Sequence, residues 1–497
     1  MDYKTDMKFK IEQAMEVIKK AALVADTDKS RPEYHFRAPA QWMDDPNGII
    51  YHNGYYHIMY SLNPYSSEHR AGMIYKTSAK VWNQSHPDWT GGINVWGHAR
   101  SKDLIHWEYL PIALYPSVEK GEHYIWFGCT VINDEGVPMA IYTSIGPEKR
   151  PEDSAEQWAA IGDPDLIIWN PLPSNPLVSD KIHGKEKILE WRDPFVFKEY
   201  GRAFMILGGK LEKENGGDAV VVIYEAENKA YTSWKYRGII FRYPDKNLQS
   251  VECPNITKIN DKWVLLISPH DAVEYFIGKI DLQTYKFLPE HRGIVDRSTN
   301  FYATNLLHDD KGRCLMWGCI EGFTQTKGWN GCLSLPRVLG VTSNNLLTQE
   351  PASELAKLRR QHFFQKDRVL HNETQVVKKM RGNTFEIIAE FEKIEASTFG
   401  IKLKYLENEI TITCNGDTVE VDDIKVPITR ETNRIALYVF IDRSVIEVYV
   451  NRIECITRVI PVCLKECEVI VFAYGGKVMM STFDLWKLKT ANLFSFC

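Results

Sequence analysis

The feature that most constrains the fold is a unit that recurs five times along the 497-residue chain. In each copy a polar or acidic residue stands about eight or nine residues ahead of a Gly or Asn/Asp turn, and an apolar strand lies on either side of that turn. The copies begin at Asp45-Pro46-Asn47-Gly48, Cys129-Thr130, Arg192-Asp193-Pro194, Glu252-Cys253-Pro254 and Asn300-Phe301-Tyr302. Repeats of this kind predict a ring. In such a ring the first residues of each copy, the heads of the repeat, converge on one axis.

The strand pattern around these copies predicts an all-β architecture. Residues 31–347 contain short β-runs separated by Asn-Gly, Asp-Glu-Gly, Asn-Asp and Lys-Gly turns, with almost no helical period. Five repeats over about 300 residues fit a five-bladed β-propeller with four strands in each blade. A sandwich or a barrel is the alternative.

The flanking regions differ from the repeats. Residues 1–30 form an N-terminal helical segment, in which 8–24 place apolar residues on one face as an amphipathic brace. Residues 348–360 are predicted as a linker helix, with Pro351 and Ser353 suited to its start. Residues 361–497 return to strict alternation, with turns at Asn415-Gly416 and Asp442-Arg443-Ser444, and predict an antiparallel β-sandwich.

Composition argues against several classes of partner and cofactor. A net charge of −5 argues against nucleic acid and anionic membranes, and the sequence has no apolar run long enough to span a bilayer. The ten cysteines show neither a small-domain disulfide framework nor His partners at zinc spacing, so no structural metal is expected. The first residues are too charged for a signal peptide, which predicts a cytoplasmic protein, or a secreted one whose signal is missing from this sequence.

Three of the five heads carry a carboxylate, namely Asp45, Asp193 and Glu252. Each has an ordinary explanation as a turn residue, since Asp before Pro commonly shapes a loop. Their equivalent positions in the repeat favour a shared pocket, and aromatic residues flank the heads: Trp42, Trp126, Phe127, Trp191 and Tyr302. Three acids in one pocket with aromatic walls indicate glycoside chemistry.

Several longer motifs make the resemblance specific. They are WMDDPNG (42–48), WGHARSKDLIHWEYLPIAL (96–114), WRDPFVF (191–197), ECPNI (252–256), WNGCLSLPR (329–337) and IDRSVIEVYVN (441–451). Together they resemble glycoside hydrolase family 32, the β-fructofuranosidases, from about residue 31 to the end of the chain. The resemblance implies a five-bladed propeller followed by a β-sandwich, and a small-molecule sugar as substrate.

The resemblance also implies roles for individual residues. Asp45 matches the nucleophile of a retaining glycosidase, Glu252 the general acid/base and Asp193 the transition-state stabiliser. Arg192 is expected to help keep Asp193 ionised. No metal or organic cofactor is required. The implied substrate-binding residues are Trp42, Asp44, Ser61, Trp96, Phe127, Gly128, Arg192, Asn300 and Tyr302, and simple propeller packing is the alternative for each.

Three positions depart from the family pattern. Asp44 stands where Asn is usual before the nucleophile, Ser61 where a substrate-contacting Gln is usual, and Asn300 where Asp is common. An extra carboxylate at Asp44 is expected to raise the pKa of Asp45 or Glu252. These changes leave two rival functions open, a fructosyltransferase with the same trio and a sugar-binding protein without turnover. For a phosphorylated sucrose, the expected cationic groups are His69, Arg70, Lys76 and Lys80.

Overall fold

The computed structural model describes residues 3–67, 93–146, 149–150, 154–213, 216–324, 326–405, 408–428, 433–460 and 467–491. One α-helix, α1 (Tyr3–Ala25), precedes a chain built mainly of strands. Its buried face carries Ala14, Ile18 and Ala22, which pack in the same apolar cluster as the first strands. Among the described residues, no helix combines the length and the apolarity of a membrane span.

Five antiparallel sheets follow one another along the chain as five propeller blades. The first contains β1 (Gln41–His52), β2 (Tyr55–Asn63), β3 (Val95–Ser101) and β4 (Trp107–Leu114), and the second β5 (Tyr124–Ile132), β6 (Pro138–Ile145), β7 (Glu156–Gly162), β8 (Trp169–Pro171) and β9 (Val178–Ser179). The third contains β10 (Ile188–Glu199), β11 (Arg202–Leu211), β12 (Ala219–Ala226) and β13 (Trp234–Arg242), and the fourth β14 (Glu252–Ile259), β15 (Lys262–Ser268), β16 (Glu274–Asp281) and β17 (Lys286–Ile294). The last stretch gives β18 (Phe301–His308), β19 (Cys314–Ile320), β20 (Trp329–Asn330), β21 (Cys332–Leu333), β22 (Arg337–Val341) and β23 (Leu347–Pro351).

The first strand of each blade lies at the centre of the ring. In sequence order these strands are β1, β5, β10, β14 and β18, and each contacts the next, with β18 contacting β1 to complete the circle. Strand pairing also closes the ring, because β20, which follows β19 of the fifth blade, pairs in parallel with β1 of the first. The predicted propeller is therefore confirmed.

The remaining strands form the predicted β-sandwich. They are β24 (Arg359–Gly382), β25 (Thr384–Glu392), β26 (Thr398–Tyr405), β27 (Asn408–Asn415), β28 (Thr418–Val421), β29 (Ile424–Pro427), β30 (Arg434–Asp442), β31 (Val445–Val450), β32 (Glu454–Val459) and β33 (Cys467–Leu488). The segment predicted as a linker helix holds a short 3-10 helix, Ser353–Leu358, and β23 of the fifth blade extends to Pro351, past residue 347. We retain the division at this segment as a proposal.

Strand β33 serves both layers of the sandwich. Its first half pairs with β26 as far as Tyr474, and its second half pairs with β25 from Met479 onward. The corner between the halves contains Gly475 at φ 68°. A Cβ there would lie 2.4 Å from the Ser397 hydroxyl, so the turn from one layer to the other requires glycine.

A buried ionic network joins the propeller to the sandwich. Asp442, at the end of β30, accepts backbone N–H bonds from residues 33–35 at 2.6–2.9 Å and binds His35 Nδ1 at 2.9 Å. His35 Nε2 lies 3.0 Å from Glu447 of β31, and Arg337 of β22 contacts the same Glu447 at 2.8 Å. Burial alone would lower the pKa of His35, but the two carboxylates outweigh it and raise that pKa to about 9.

This network predicts a stability that depends on His35 and on pH. Because the pKa of His35 is higher folded than unfolded, its contribution is complete below about pH 6.5 and is lost as pH rises towards 9. Wild-type protein should lose on the order of 3 kcal/mol across that window. His35→Gln should be destabilised by about 3–5 kcal/mol at pH 6 and show less of this slope. Urea unfolding at several pH values measures both, and His371→Gln, at an exposed position of β24, is the control. An unchanged slope in His35→Gln would contradict the assignment.

Candidate active site

A β-bulge lies at or next to each of the five heads, in the five innermost strands. Pairing with the neighbouring strand is interrupted between Met43 and Pro46 in β1, Ile125 and Gly128 in β5, Arg192 and Phe195 in β10, Glu252 and Asn255 in β14, and Tyr302 and Asn305 in β18. A bulge bends the strand and redirects its side chains. Asp193 adopts φ 67° within its bulge, a conformation that Asp tolerates better than most residues. The repeated bulge thus turns residues of every blade towards the axis.

The three predicted acids meet at this axis. Asp193 is buried, and its Oδ2 accepts the backbone N–H of Cys253 at 2.8 Å, next to Glu252 in the following blade. The pKa of Asp45 is raised well above its ordinary value by burial and then by the charges of Asp193, Glu321 and Glu252. The carboxyls of Asp45, Asp193 and Glu252 therefore share one pocket.

Arg192 is the main cationic partner of Glu252. Its Nη2 donates to Glu252 Oε1 at 2.5 Å, whereas its Nε lies 3.8 Å from Asp193 Oδ2. Its Nη1 donates to the Glu190 carboxylate at 2.7 Å. Arg192 does favour ionised Asp193, as expected, because its charge lowers the pKa of that carboxyl, but its closer pairing is with Glu252.

Tyr302 completes the surroundings of Glu252. Its hydroxyl donates to Glu252 Oε2 at 2.6 Å and accepts the backbone N–H of His270 at 2.9 Å. The His270 ring lies 3.5 Å from the same carboxylate oxygen. Burial favours the protonated form of Glu252, but Arg192, His270 and Tyr302 outweigh it and lower the pKa of this carboxyl.

The distribution of protons differs from the sequence-based expectation. Burial raises the pKa of Asp193 to about 6 despite the charge of Arg192. The pKa of Asp44 is also raised, by burial and by the charges of Glu321 and Asp45. The pKa of Asp45 is raised, with burial and the charges of Asp193, Glu321 and Glu252 as the main causes, while the pKa of Glu252 shifts downward. In the free protein the pKa values of Asp44 and Asp45 are both raised well above their ordinary value.

The floor of the pocket is a network of amides and backbone groups. Asn47 donates to the Ser61 hydroxyl at 2.9 Å and accepts the backbone N–H of Gly128 at 3.2 Å. Asn305 donates to the carbonyls of Pro46 and Gly128. A Cβ on Gly128 would lie 2.1 Å from the Ile141 carbonyl, so only glycine fits there. Asn47 and Asn305 thus join the first, second and fifth blades through Gly128 and Pro46, and Ser61 supports Asn47 from the neighbouring strand.

The other predicted substrate residues fall into two groups. Trp42, Trp96 and Phe127 are buried in the propeller, and the Trp96 indole donates to the Trp126 carbonyl at 3.1 Å. Asn300 lies just before β18, donates to the Glu321 carbonyl and accepts the backbone N–H of Val459 in the sandwich. The contacts of these four residues support packing and domain docking.

Sequence reasoning did not identify two residues beside the fifth head, Cys319 in β19 and Glu321 just after that strand. Tyr302 pairs with Cys319 across β18 and β19. The Cys319 thiol lies 3.8 Å from Asp45 Oδ1 and 3.8 Å from Glu321 Oε1. The position of Cys319 opposite Tyr302 could have identified it, because a residue that faces a head across two paired strands reaches the same pocket. His69, Arg70, Lys76 and Lys80 lie outside the described residues, so the structure does not place them.

The arrangement supplies what glycoside cleavage needs. It contains carboxyls with different proton affinities, an arginine and a tyrosine that position one of them, and a buried setting in which charges interact strongly. Among the described residues, the group with ligand atoms close enough to hold a metal ion is Asp44, Asp45 and Cys319.

Comparison with known proteins places the chain among carbohydrate-active enzymes. The model of the glycosyl hydrolases family 32 N-terminal domain matches residues 35–80 and 71–351, and that of the family 32 C-terminal domain matches residues 354–487. A sucrose-6-phosphate hydrolase of Zymomonas mobilis is 27% identical over 94% of this chain and 93% of its own. An acid β-fructofuranosidase of Solanum lycopersicum is 30% identical over 66% of this chain and 52% of its own. A mutant Bombyx mori β-fructofuranosidase solved in complex with sucrose shares the fold at a TM-score of 0.76, with 21% identity over 98% of this chain and 99% of that one.

The pairing of Arg192 predicts a pH-dependent loss of stability in Arg192→Met. The variant leaves Glu252 and Asp193 buried without their guanidinium, which should cost about 3–5 kcal/mol at pH 8. Because the pKa of Glu252 then rises above its unfolded value, the loss should shrink as pH falls towards 5. Urea unfolding measures the effect, and Arg242→Met, half-exposed and paired with Asp218, is the control. A loss that is independent of pH would show that Arg192 acts through packing alone.

Proposed function

Because the chain belongs to glycosyl hydrolases family 32 and is a fructosidase, we propose that it cleaves the β-D-fructofuranosyl bond of sucrose or a related fructoside with retention of configuration. The observation that carries this proposal is the convergence of Asp45, Asp193 and Glu252, from three separate repeats, on one pocket where Arg192 and Tyr302 position Glu252. A retaining glycosidase needs such a pair of carboxyls, one to attack and one to transfer a proton.

In the proposed reaction Asp45 attacks C2 of the fructosyl unit. Glu252 gives its proton to the departing glucose oxygen, and a covalent fructosyl-enzyme forms on Asp45. Glu252, now ionised, takes a proton from water, which attacks C2 and releases fructose. Asp193 accepts hydrogen bonds from sugar hydroxyls and stabilises the positive charge that develops on the ring.

In the free protein the pKa is raised at Asp45 and lowered at Glu252, which is the reverse of these roles, so sugar binding must shift a proton from Asp45 to Glu252. Coupled carboxyls titrate as a group, so the pocket as a whole retains a proton that its members exchange. When the sugar displaces water, the developing charge on the ring favours ionised Asp45, and the leaving oxygen accepts the proton through Glu252. The pairing of Glu252 with Arg192 and Tyr302 suits its second task, since an ionised Glu252 is the base that activates water.

Two rival functions use the same pocket. A fructosyltransferase passes the fructosyl group to a sugar hydroxyl, and chromatography at high sucrose would show trisaccharides with glucose in excess of fructose. A sugar-binding protein without turnover would give heat of binding but no hydrolysis in a calorimeter. Side-by-side kinetics on sucrose, sucrose-6-phosphate, raffinose and inulin identify the preferred fructoside, and the phosphorylated substrate of the Zymomonas mobilis relative makes that comparison necessary.

The proposed roles predict different consequences for Asp45 and Glu252. Glu252→Gln should lower kcat for sucrose by about 10²–10⁴-fold, because it removes general acid/base catalysis. Asp45→Asn should abolish turnover, and only protein with Asp45 should give a fructosylated peptide by mass spectrometry after rapid acid quench. Methanolysis should yield methyl β-D-fructofuranoside if configuration is retained. Asp281→Asn, in an exposed turn of the fourth blade, is the control. Sucrose hydrolysis that survives Asp45→Asn would disprove the assignment.

The Tyr302 hydroxyl predicts a shift in the pH profile. Tyr302→Phe removes a hydrogen bond to ionised Glu252, so the pKa of Glu252 should rise. The alkaline limb of kcat/KM, which reports the acid in the free enzyme, should move up by about one pH unit. Tyr285→Phe removes a similar hydrogen bond to Glu225 far from the pocket and should leave the profile unchanged. A profile that stays in place in Tyr302→Phe would contradict the role of this contact.

A further inference from the structure

Three side chains enclose the carboxyl of Glu252, and they differ in what they can do with a proton. Glu252 is 8% exposed, its Oε1 accepts Arg192 Nη2 at 2.5 Å, and its Oε2 accepts the Tyr302 hydroxyl at 2.6 Å. Arginine stays protonated in proteins, while burial and then the charge of Glu252 raise the pKa of Tyr302 well above its ordinary value. Neither group therefore gives up a proton readily. The third neighbour is His270, whose Nδ1 lies 3.5 Å from Glu252 Oε2.

His270 is held in the turn between β15 and β16, beside the head of β14. Its backbone N–H donates to the Tyr302 hydroxyl at 2.9 Å, and its Nε2 lies 2.9 Å from the Ser250 hydroxyl. The Ser250 oxygen also accepts Arg192 Nη2 at 3.3 Å. A serine hydroxyl has one donor and two acceptor positions, so it can donate to a neutral imidazole or accept from an imidazolium. The site can thus hold His270 in both protonation states, with Nδ1 nearest Glu252.

The His270 side chain also reaches solvent, since 24% of it is exposed. Imidazole is the side chain that takes up and releases protons most readily near neutral pH. Its Nδ1 lies just beyond hydrogen-bond distance of Glu252, and a bond forms once the two atoms approach to about 3.0 Å. His270 therefore connects a buried carboxyl with the bulk water. The charged and titratable groups around it are Glu252 on β14, Arg192 on β10 through Ser250, Tyr302 on β18 and Asp271, its neighbour in the turn.

We propose that His270 is a proton relay that supplies Glu252 with the proton it needs as general acid. The relay rests on the proposed roles of Asp45 and Glu252. When the sugar fills the pocket and displaces water, the charged pair of imidazolium and carboxylate is disfavoured, and a proton passes from His270 Nδ1 to Glu252 Oε2. Asp45 loses its proton to the displaced water, which completes the net shift between the two carboxyls. After fructose leaves, Glu252 returns a proton to His270 and Asp45 takes one from solvent, so the free state is restored.

A relay and a fixed charge at His270 have opposite consequences. Burial raises the pKa of Glu252, while Arg192 and then His270 lower it. If His270 acted only through its charge, its removal would leave more Glu252 protonated and raise kcat/KM at alkaline pH. If His270 acts as a relay, its removal slows the protonation of Glu252 and lowers kcat/KM.

The experiment measures sucrose hydrolysis by His270→Gly and His270→Gln with and without added imidazole. His270 adopts φ 59°, which glycine reaches without strain, and the glycine variant leaves a space that imidazole can enter. Glutamine fills that space and cannot pass a proton on. His308→Gln is the matched control, because His308 Nε2 also bonds a hydroxyl, that of Thr257 at 2.6 Å, at the other end of β18.

Both His270 variants should lose on the order of 10–100-fold in kcat/KM at pH 7, less than Glu252→Gln, since water still reaches the carboxyl slowly. Imidazole should restore the activity of His270→Gly in proportion to its protonated fraction, and should not stimulate His270→Gln or the control. Variants as active as the wild type, or more active at alkaline pH, overturn the relay, as does a folded His270→Gly that imidazole does not restore. A wild type that hydrolyses no fructoside would overturn the proposed function and the relay with it.

Discussion

The pocket depends on one repeated backbone constraint, the bulge near the start of each innermost strand. A regular strand would alternate its side chains between the two faces of a blade, and the acids would face the neighbouring blades. A bulge breaks this alternation at or next to the head in each of the five blades. Asp45, Asp193 and Glu252 reach one pocket because of it, and Asn47 and Asn305 tie the same strands together below.

The carboxyls of the pocket do not share the positive charge of Arg192 equally. Arg192 pairs closely with Glu252 and Glu190 and more distantly with Asp193, whereas the contact of Asp45 is with the Cys319 thiol. The pocket therefore contains chemically similar groups with different proton affinities, higher at Asp45 and lower at Glu252. Burial and the charges of Glu321 and Asp45 raise the pKa of Asp44 as well.

The sequence predicted the fold and the position of the acids because both follow from periodicity. Strand alternation and five equivalent heads are local patterns, and their convergence follows from the ring. The order of the pKa values was not predictable, since it depends on which carboxylate Arg192 reaches across the pocket. Cys319 was missed because it lies opposite a head rather than at one. Asn300 was predicted as a sugar contact, yet its hydrogen bonds join the fifth blade to the sandwich.

The pairing of β20 with β1 has a consequence for the order of folding. Residues 41 and 42 pair with 329 and 330, and the Trp329 indole is bonded to Asp28 in the segment after α1. During synthesis the first blade therefore emerges long before the strand that flanks it. Contacts of such large sequence separation form slowly, and an unpaired inner edge is exposed until they do. The ring is thus expected to close last, after all five blades have left the ribosome.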